Sequence, residues 1–352
     1  MKYGVLIPAY EPDEKLLELV DRLLERELSC VVVDDGSVSE GARAVFSALK
    51  DKIIASGASG GLALLEHEFN CGKGRAIKTG LSHMYEQGFT AAVTADSDGQ
   101  HSPKDIIRIA EEMEKRPETL ILGMRDVSMM PARSRAGNTL TRRLFKLLYG
   151  IALKDTQTGL RGIPLGSEKI RDELLSLEGE RYEYEMEMLI EAGNIFPGGM
   201  YELPIDTIYI DDNAGSHFHT IKDGSKVYKV LLKNLPGFLL ASLLYFLLDY
   251  ALFNGFYYLV FHYAVSATVS ARIISGLFNY GMNRRIAFRK HGESYNLWNY
   301  VKLALVVLAI NMLLMYLLVD VLGLPAFVMK IIVEALLYVL SFSVQQRLAV
   351  KR

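Results

Sequence analysis

The sequence predicts an α/β domain with a mostly parallel sheet, followed by an all-α domain of four membrane-spanning helices. Short apolar runs alternate with amphipathic segments in the first half, and four long apolar stretches follow from residue 235 onward. Charge divides the chain at the same place, because residues 1–220 hold 25 Lys/Arg against 36 Asp/Glu and residues 221–352 hold 14 against 5. An acidic half joined to a basic, apolar half is unlike an ordinary soluble enzyme and argues against nucleic acid as a partner.

Length and composition narrow the class of protein further. A chain of 352 residues favours two domains, and a content of 50% hydrophobic and 23% charged residues excludes a disordered chain. Its two cysteines, Cys30 and Cys71, exclude a disulfide framework and suit a reducing compartment. Residues 1–10 are expected to form a strand rather than a signal peptide, since their apolar run is short and ends at Pro8.

The first half alternates strand and helix patterns. Apolar, β-rich runs predict strands at 5–7, 30–33, 89–95 and 119–122. Helical spacing predicts helices at 14–27, 75–87 and 103–115. This alternation is typical of a parallel sheet covered on both faces, where ligands bind beyond the carboxyl ends of the strands.

The second half has four apolar stretches near the length that crosses a bilayer: 235–253, 256–278, 299–322 and 326–344. Lys and Arg precede the first stretch, lie between the second and third, and follow the fourth, whereas the connections near Asn254-Gly255 and Gly323-Leu324-Pro325 have none. The positive-inside rule therefore predicts a multi-pass protein of the cytoplasmic membrane, with both termini and the soluble domain in the cytoplasm.

A basic amphipathic segment joins the two halves at residues 221–234, with Lys222, Lys226, Lys229 and Lys233 at helical spacing. Such a helix is expected to lie in the membrane interface, and a solvated linker helix is the alternative. The predicted domains are thus 1–220, 221–234 and 235–352.

An acidic turn follows the strand predicted at 89–95. Asp96, Asp98 and Gln100 place two carboxylates and an amide oxygen two residues apart, which are hard ligands suited to a divalent ion. An ion of this kind binds substrate phosphates and neutralises charge on a leaving diphosphate. A solvated turn is the alternative.

Two further turns suit a nucleotide. Asp34-Asp35-Gly36-Ser37 ends a strand, where a carboxylate can bind a nucleoside or, alternatively, cap a helix. Asn70-Cys71-Gly72-Lys73-Gly74 precedes a helix and is not a Walker A loop, but it offers an ammonium and backbone N–H groups to a phosphate. A simple turn is the alternative there.

An arginine-rich segment follows the strand predicted at 119–122. Arginine side chains suit phosphate, and a solvated basic face is the alternative, which we favour for Arg142 and Arg143. Glu185 could contact an acceptor or orient an arginine, and His217 is a candidate further metal ligand.

Taken together, five ordered motifs resemble the family 2 glycosyltransferases of GT-A fold. They are Pro8-Ala9-Tyr10-Glu11, Asp34-Asp35-Gly36-Ser37, Asn70-x-Gly-Lys-Gly, Asp96-x-Asp98-x-Gln100 and Asp155-x-x-x-Gly-x-Arg161. Their order over residues 3–220 is similar to that of dolichol- and polyprenyl-phosphate sugar transferases. Residues 236–350 resemble the GtrA-like membrane domain through Asp249-Tyr250 and Asn279-x-x-x-Asn283-Arg284.

The resemblance implies roles for individual residues. A nucleotide would be held by Pro8, Ala9, Tyr10, Glu11, Asp34, Asp35, Gly36, Lys73, Asp96 and Ser97. Mg²⁺ or Mn²⁺ would be held by Asp96, Asp98 and Gln100. The acceptor phosphate would be held by Arg125, Arg133, Ser134 and Arg135, and the sugar or acceptor by Asp155, Gln157 and Glu185. Asp96, Asp98, Arg125 and Arg161 would act in catalysis.

The expected reaction is transfer of one hexose, from a donor of the UDP-glucose or GDP-mannose class, to undecaprenyl phosphate for cell-envelope glycan synthesis. A lipid phosphate is already anionic at neutral pH, so no dedicated general base is needed.

Two other functions stay open. A processive polysaccharide synthase is disfavoured because the Gln-x-x-Arg-Trp motif of such enzymes is absent. A non-catalytic lipid-linked sugar carrier is favoured by ionisable residues inside the predicted spans, such as Asp249, Arg272, Lys330 and Glu334. Homo-oligomerisation is open too.

Overall fold

The computed structural model describes residues 2–56, 61–206, 222–261, 264–287, 296–324 and 326–349. It divides into two compact units, one formed by Met1–Lys146 and Ile151–Leu231 and the other by Leu147–Gly150 and Leu232–Lys351.

The first unit contains a seven-stranded sheet flanked by helices. Its strands are β1 (Tyr3–Ala9), β2 (Ser29–Asp34), β3 (Leu62–Glu66), β4 (Ala91–Thr94), β5 (Leu120–Met124), β6 (Arg161–Pro164) and β7 (Met200–Pro204). Its helices are α1 (Lys15–Leu24), α2 (Glu40–Ser56), α3 (Lys73–Glu86), α4 (Pro103–Lys115), α5 (Ala132–Tyr149), α6 (Glu168–Ser176), α7 (Glu183–Ile195) and α8 (Lys222–Leu231). A short 3₁₀ turn, Val127–Met129, follows β5.

Strand order in the sheet is β3-β2-β1-β4-β6-β5-β7, and the paired strands are parallel except where β6 meets β4 and β5. The predicted α/β fold with a mostly parallel sheet is therefore confirmed. Because β1 has β2 on one side and β4 on the other, the chain order reverses at β1. The carboxyl ends of these three strands form the crevice where sheets of this type bind ligands.

The central strands are buried on both faces. Val5 and Ile7 of β1 lie in the apolar cluster that includes residues of α1, α2 and α4. Leu6 points to the opposite face, which α3 covers. Gly80 of α3 allows this close packing, because a Cβ there would lie 2.1 Å from Leu6 Cδ1.

Sequence patterns missed the strand β3. Its residues are only half-buried, as expected for an edge strand, so they lack the continuous apolar run that marks β1 and β2. The strand predicted at 89–95 is consequently the fourth in chain order. Helices α1, α3 and α4 lie where amphipathic spacing predicts them.

Helix α8 belongs to the first unit and packs against α7. Its apolar residues Val227 and Leu231 are buried, and the Tyr228 hydroxyl lies 3.4 Å from Thr141 Oγ1 of α5. These two apolar side chains are therefore covered by protein, and the placement of the helix in the membrane interface stays a prediction.

The described part of the second unit holds α9 (Leu235–Phe256), α10 (Ala264–Met282), α11 (Leu297–Met315) and α12 (Ala326–Ala349). Short π-helices extend the first three: Tyr257–Phe261, Asn283–Ala287 and Tyr316–Val321. The first helix continues through Asn254-Gly255, where the sequence predicted a connection. Asn254 Nδ2 donates to the Tyr250 carbonyl at 2.7 Å, so its side chain is satisfied within the helix.

Leu235–Val260 is long and apolar enough to cross a membrane. Its 26 residues span about 39 Å, against about 30 Å for the hydrocarbon core of a bilayer. Among the described residues it is the one helix that meets both criteria of length and composition. The four-span topology stays a prediction.

Candidate active site

Lys73 connects three elements at the carboxyl edge of the sheet. It is the first residue of α3, and its Nζ lies 2.7 Å from Asp96 Oδ1, after β4, and 3.1 Å from Glu185 Oε2, on α7. Burial lowers the pKa of Lys73, but the charges of Asp96 and Glu185 outweigh it and hold that pKa above its ordinary value. The structure thus brings together three residues that the sequence selected from separate motifs.

The acidic turn after β4 holds two carboxylates whose pKa values are shifted in opposite directions. Burial opposes ionisation of Asp96, yet the Lys73 ammonium and His101 lower its pKa to about 2. Burial and the charge of Asp96 raise the pKa of Asp98 to about 6. Gln100 N donates to Asp98 Oδ1 at 3.0 Å, which closes the turn. Two nearby carboxylates, one of which raises the pKa of the other, are a donor set that fits a hard divalent ion.

His101 is a site residue that sequence analysis missed. Its ring is buried, its Nε2 lies 3.8 Å from Asp96 Oδ2, and burial lowers its pKa to about 4. Its Nδ1 has no hydrogen-bond partner among the residues that the structure describes. The sequence signal was its place directly after Gln100, at the end of the acidic turn.

Gly159 lies directly against Asp96. Thr94 of β4 donates its hydroxyl to the Gly159 carbonyl at 2.8 Å, which draws the loop before β6 onto the acidic turn. A Cβ at Gly159 would lie 2.3 Å from Asp96 Oδ2. The position therefore requires glycine if the Asp96 carboxylate is to keep its place.

Arg161 is a buried bracing residue, with 1% of its surface exposed. Its guanidinium donates to the carbonyls of Thr158 at 3.0 Å and Glu185 at 2.7 Å, and its Nε lies 3.8 Å from Glu185 Oε1. It fixes the loop before β6 to α7. This placement favours a positioning role over the catalytic role that the resemblance implied.

Arg125 and Asp155 form a two-pronged ion pair. Arg125 Nε donates to Asp155 Oδ2 at 2.7 Å, and Arg125 Nη2 donates to Asp155 Oδ1 at 3.2 Å. Asn138 of α5, fully buried and not selected from the sequence, also donates to Asp155 Oδ1. Asp155 is fully buried as well, so it orients Arg125 rather than lying open to a substrate.

Asp35 anchors the turn that precedes Lys73. Its carboxylate accepts the backbone N–H groups of Cys71 at 2.9 Å and Gly72 at 2.7 Å. His67 Nδ1 lies 2.9 Å from the same carboxylate. Through these contacts, Asp35 holds the turn before Lys73 close to the end of β2.

Glu11 holds the start of α2. It accepts N–H groups from Val38 at 2.7 Å and Ser39 at 3.2 Å, while Asp34 Oδ1 accepts from Ser37 N at 2.9 Å. These hydrogen bonds support the helix-capping alternative considered for the Asp34–Ser37 turn. Burial raises the pKa of Asp34, with Glu66 adding to the effect and Ser37 opposing it.

The other predicted residues differ in exposure. Pro8, Ala9 and Gly36 are buried; Tyr10, Ser97, Gln100 and Ser134 are half-buried; Gln157 and Arg135 are exposed. His217 and the side chain of Arg133 lie outside the described residues.

Two known protein families match this chain. The Glycosyl transferase family 2 domain matches residues 4–171, and the GtrA/DPMS transmembrane domain matches residues 237–350. The second match and the apolar helix Leu235–Val260 indicate a membrane protein.

Three relatives of this chain have names that describe activities related to one another. The UDP-N-acetylglucosamine–dolichyl-phosphate N-acetylglucosaminyltransferase of Methanococcus voltae is 31% identical, over 59% of this chain and 86% of its own. The polyprenol monophosphomannose synthase of Mycolicibacterium smegmatis is 26% identical, over 54% and 71%. The undecaprenyl-phosphate mannosyltransferase of Micrococcus luteus is 24% identical, over 55% and 79%. The chain therefore belongs to the family 2 glycosyltransferases, as a member of the polyprenyl-phosphate sugar transferases that carries a GtrA/DPMS-type transmembrane domain.

Proposed function

We propose that the protein transfers a single hexose from a nucleotide sugar to undecaprenyl phosphate at the cytoplasmic face of the membrane, with Mg²⁺ or Mn²⁺ as cofactor. The donor belongs to the UDP-glucose or GDP-mannose class, and the product serves cell-envelope glycan synthesis. The observation that carries the proposal is the meeting of Lys73, Asp96 and Glu185 at the edge of the sheet, beside Asp98.

The reaction is one displacement at the anomeric carbon of the sugar. A phosphate oxygen of the lipid forms the new bond to this carbon as the bond to the nucleoside diphosphate breaks, so the configuration inverts. The diphosphate leaves with the bonding electron pair, and no proton has to be removed from the anionic nucleophile. The barrier lies in an oxocarbenium-like state, whose cost falls when the leaving group's charge is stabilised.

The chain's own residues stabilise that charge. Lys73 is protonated and fixed by two carboxylates, so its ammonium is in place for a phosphate oxygen without reorganisation. Asp96, Asp98 and Gln100 would hold the divalent ion, which supplies further stabilisation of the departing diphosphate when bound. Arg125, oriented by Asp155, is a candidate to bind the acceptor phosphate.

The test uses membranes containing the full chain, undecaprenyl phosphate, and one labelled donor at a time: UDP-glucose, GDP-mannose or UDP-N-acetylglucosamine. We expect one hexose donor to transfer label to the organic phase. We expect Asp98→Asn to lower that rate by about 100-fold or more, the scale of losing a group that stabilises developing charge. The exposed Asp172→Asn is the matched control and should leave the rate unchanged.

Metal dependence is tested in the same assay. EDTA should abolish transfer, and Mn²⁺ or Mg²⁺ should restore it. Organic-phase label that survives both EDTA and Asp98→Asn would refute the metal-assisted mechanism. A product that grows by repeated addition of sugar would instead support the processive synthase.

A further inference from the structure

A second group of potential metal ligands lies at the ends of β2 and β3. One ligand atom each from Asp35, His67 and Cys71 lies within 4.8 Å of the others. Neither Asp96 nor Asp98 contributes to this group. Asp35 is buried, and the other two are half-buried.

The sheet register explains why these residues meet. Asp34 pairs with Glu66 where the parallel strands β2 and β3 end, so the next residues, Asp35 and His67, leave the sheet side by side. The chain then turns back over Gly36, where a Cβ would lie 2.3 Å from the Phe69 carbonyl carbon. This close approach brings Cys71 to Asp35, and its N–H donates to Asp35 Oδ1.

The donor set is that of a borderline ion rather than a hard one. A carboxylate oxygen, an imidazole nitrogen and a thiolate sulfur suit Zn²⁺, whereas Mg²⁺ takes oxygen ligands. Zinc–ligand bonds of about 2.0–2.3 Å place tetrahedral ligands roughly 3.3–3.8 Å apart. The three ligand atoms lie within 4.8 Å of one another, and the 2.9 Å between His67 Nδ1 and Asp35 Oδ1 would have to lengthen slightly to admit the ion.

Outer contacts of the cluster match those of a metal site. His67 Nε2 lies 3.0 Å from Thr79 Oγ1, so a ring that ligates through Nδ1 would donate its other N–H to this hydroxyl. Asp35 Oδ2 accepts from Gly72 N at 2.7 Å, which orients the carboxylate. Metal-bound histidines and carboxylates generally carry such second hydrogen bonds. The neighbouring carboxyl group of Asp34 interacts electrostatically with Asp35 and adds to the negative potential at the cluster.

We propose that Asp35, His67 and Cys71 form a second metal site, which takes Zn²⁺ or a similar borderline divalent ion through one oxygen, one nitrogen and one sulfur. Three protein ligands leave a fourth position for water. The site is separate from the acidic turn, and its occupancy ties the ends of β2 and β3 to the turn before Lys73.

The test is a titration of the purified full chain with Co²⁺, an ion that takes the place of Zn²⁺ and absorbs light. Thiolate ligation gives a charge-transfer band in the near ultraviolet, which oxygen ligands at Asp96 and Asp98 do not produce. We expect the band of the unmodified chain to reach full intensity at one equivalent of Co²⁺. It should disappear when one equivalent of Zn²⁺ is added.

Variants identify the residues whose side chains produce the band. Cys71→Ser and His67→Gln should each remove it, and the introduced serine hydroxyl would keep a donor for the Phe69 carbonyl that Cys71 contacts at 3.3 Å. Cys30→Ala removes the other thiol, which is buried in the core, and should keep the band. Asp98→Asn should keep it too, which separates this site from the proposed catalytic ion.

Two outcomes would overturn the site: no thiolate band in the folded, unmodified chain, or a band that survives both Cys71→Ser and His67→Gln. Thermal unfolding of each variant without metal shows whether it is folded, and the histidine variant keeps the test decisive if the cysteine variant is not. The cobalt spectrum is independent of sugar transfer, so failure here leaves the proposed function standing.

Discussion

The Asp96 carboxylate packs against a glycine that has no side chain to displace it. Gly159 approaches so closely because Thr94 binds its carbonyl, and together they set where Asp96 can point. Asp96 contacts Lys73, and in the proposed mechanism it also faces the donor diphosphate, so its position is what we expect to matter.

Gly159→Ala is expected to abolish most of the transfer activity. The new methyl group would lie 2.3 Å from Asp96 Oδ2, and a shift of about 1 Å in a reacting group costs on the order of 100-fold in rate. The measurement is the initial rate of label transfer to lipid. Gly41→Ala is the control, since a Cβ there meets nothing within 4 Å, and its rate should be unchanged. Equal rates for the two variants would contradict the packing argument.

Arg161→Leu is expected to destabilise the first unit. It would remove the donor that binds the buried carbonyls of Thr158 and Glu185, and each buried acceptor that loses its partner costs about 1–3 kcal/mol. Denaturant titration of the detergent-solubilised chain measures the loss in free energy of unfolding. Arg22→Leu, which removes an exposed pair with Glu18, should change it by less than about 1 kcal/mol. A similar small change for Arg161→Leu would show that its burial is not structural.

At the scale of elements, local sequence patterns predicted the helices and strands that have a strong apolar pattern. Helix α4 begins at Pro103 after the N-cap Ser102 and has a continuous apolar face, so its bounds follow from the sequence. Strand β3 at the sheet edge and the reversed strand β6 could not be predicted this way, because their pairing depends on distant residues.

The N-cap of α4 gives a test at this scale. Ser102 Oγ accepts from Asp105 N, whereas Ser167, at the N-cap of α6, makes no side-chain capping bond. Ser102→Ala should lower the free energy of unfolding by about 1 kcal/mol, and Ser167→Ala by only a few tenths. Equal losses in denaturant titrations of the two variants would show that the capping bond contributes nothing.

On the scale of the whole molecule, the two units differ in how their apolar side chains are exposed. The first has an apolar interior, whereas Leu239, Leu243 and Phe246 of α9 are exposed. Inside the second unit, buried amides contact one another instead: Asn283 Nδ2 donates to Gln345 Oε1 at 3.0 Å. Exposed apolar side chains, together with buried amides that bond one another, are expected of helices surrounded by lipid.

The predicted topology can be tested by labelling intact cells with a membrane-impermeant maleimide, in a Cys71→Ser background. A single cysteine at Leu324 should be labelled from outside, because the connection Gly323-Leu324-Pro325 lacks Lys and Arg. A cysteine at Ser294, next to the basic segment after the second span, should be labelled only after lysis. Labelling of Ser294→Cys in intact cells would contradict the cytoplasmic orientation.

The sequence by itself determined the α/β class, the apolar second half and the three turns that bear Asp35, Lys73 and Asp96, since these depend on local periodicity and residue type. Only the tertiary structure decided which charges meet. Lys73 pairs with Glu185 more than a hundred residues away, and Arg161 lies buried rather than open to a phosphate. Such contacts depend on strand order and register, which bring together residues distant in the chain and which no local pattern specifies.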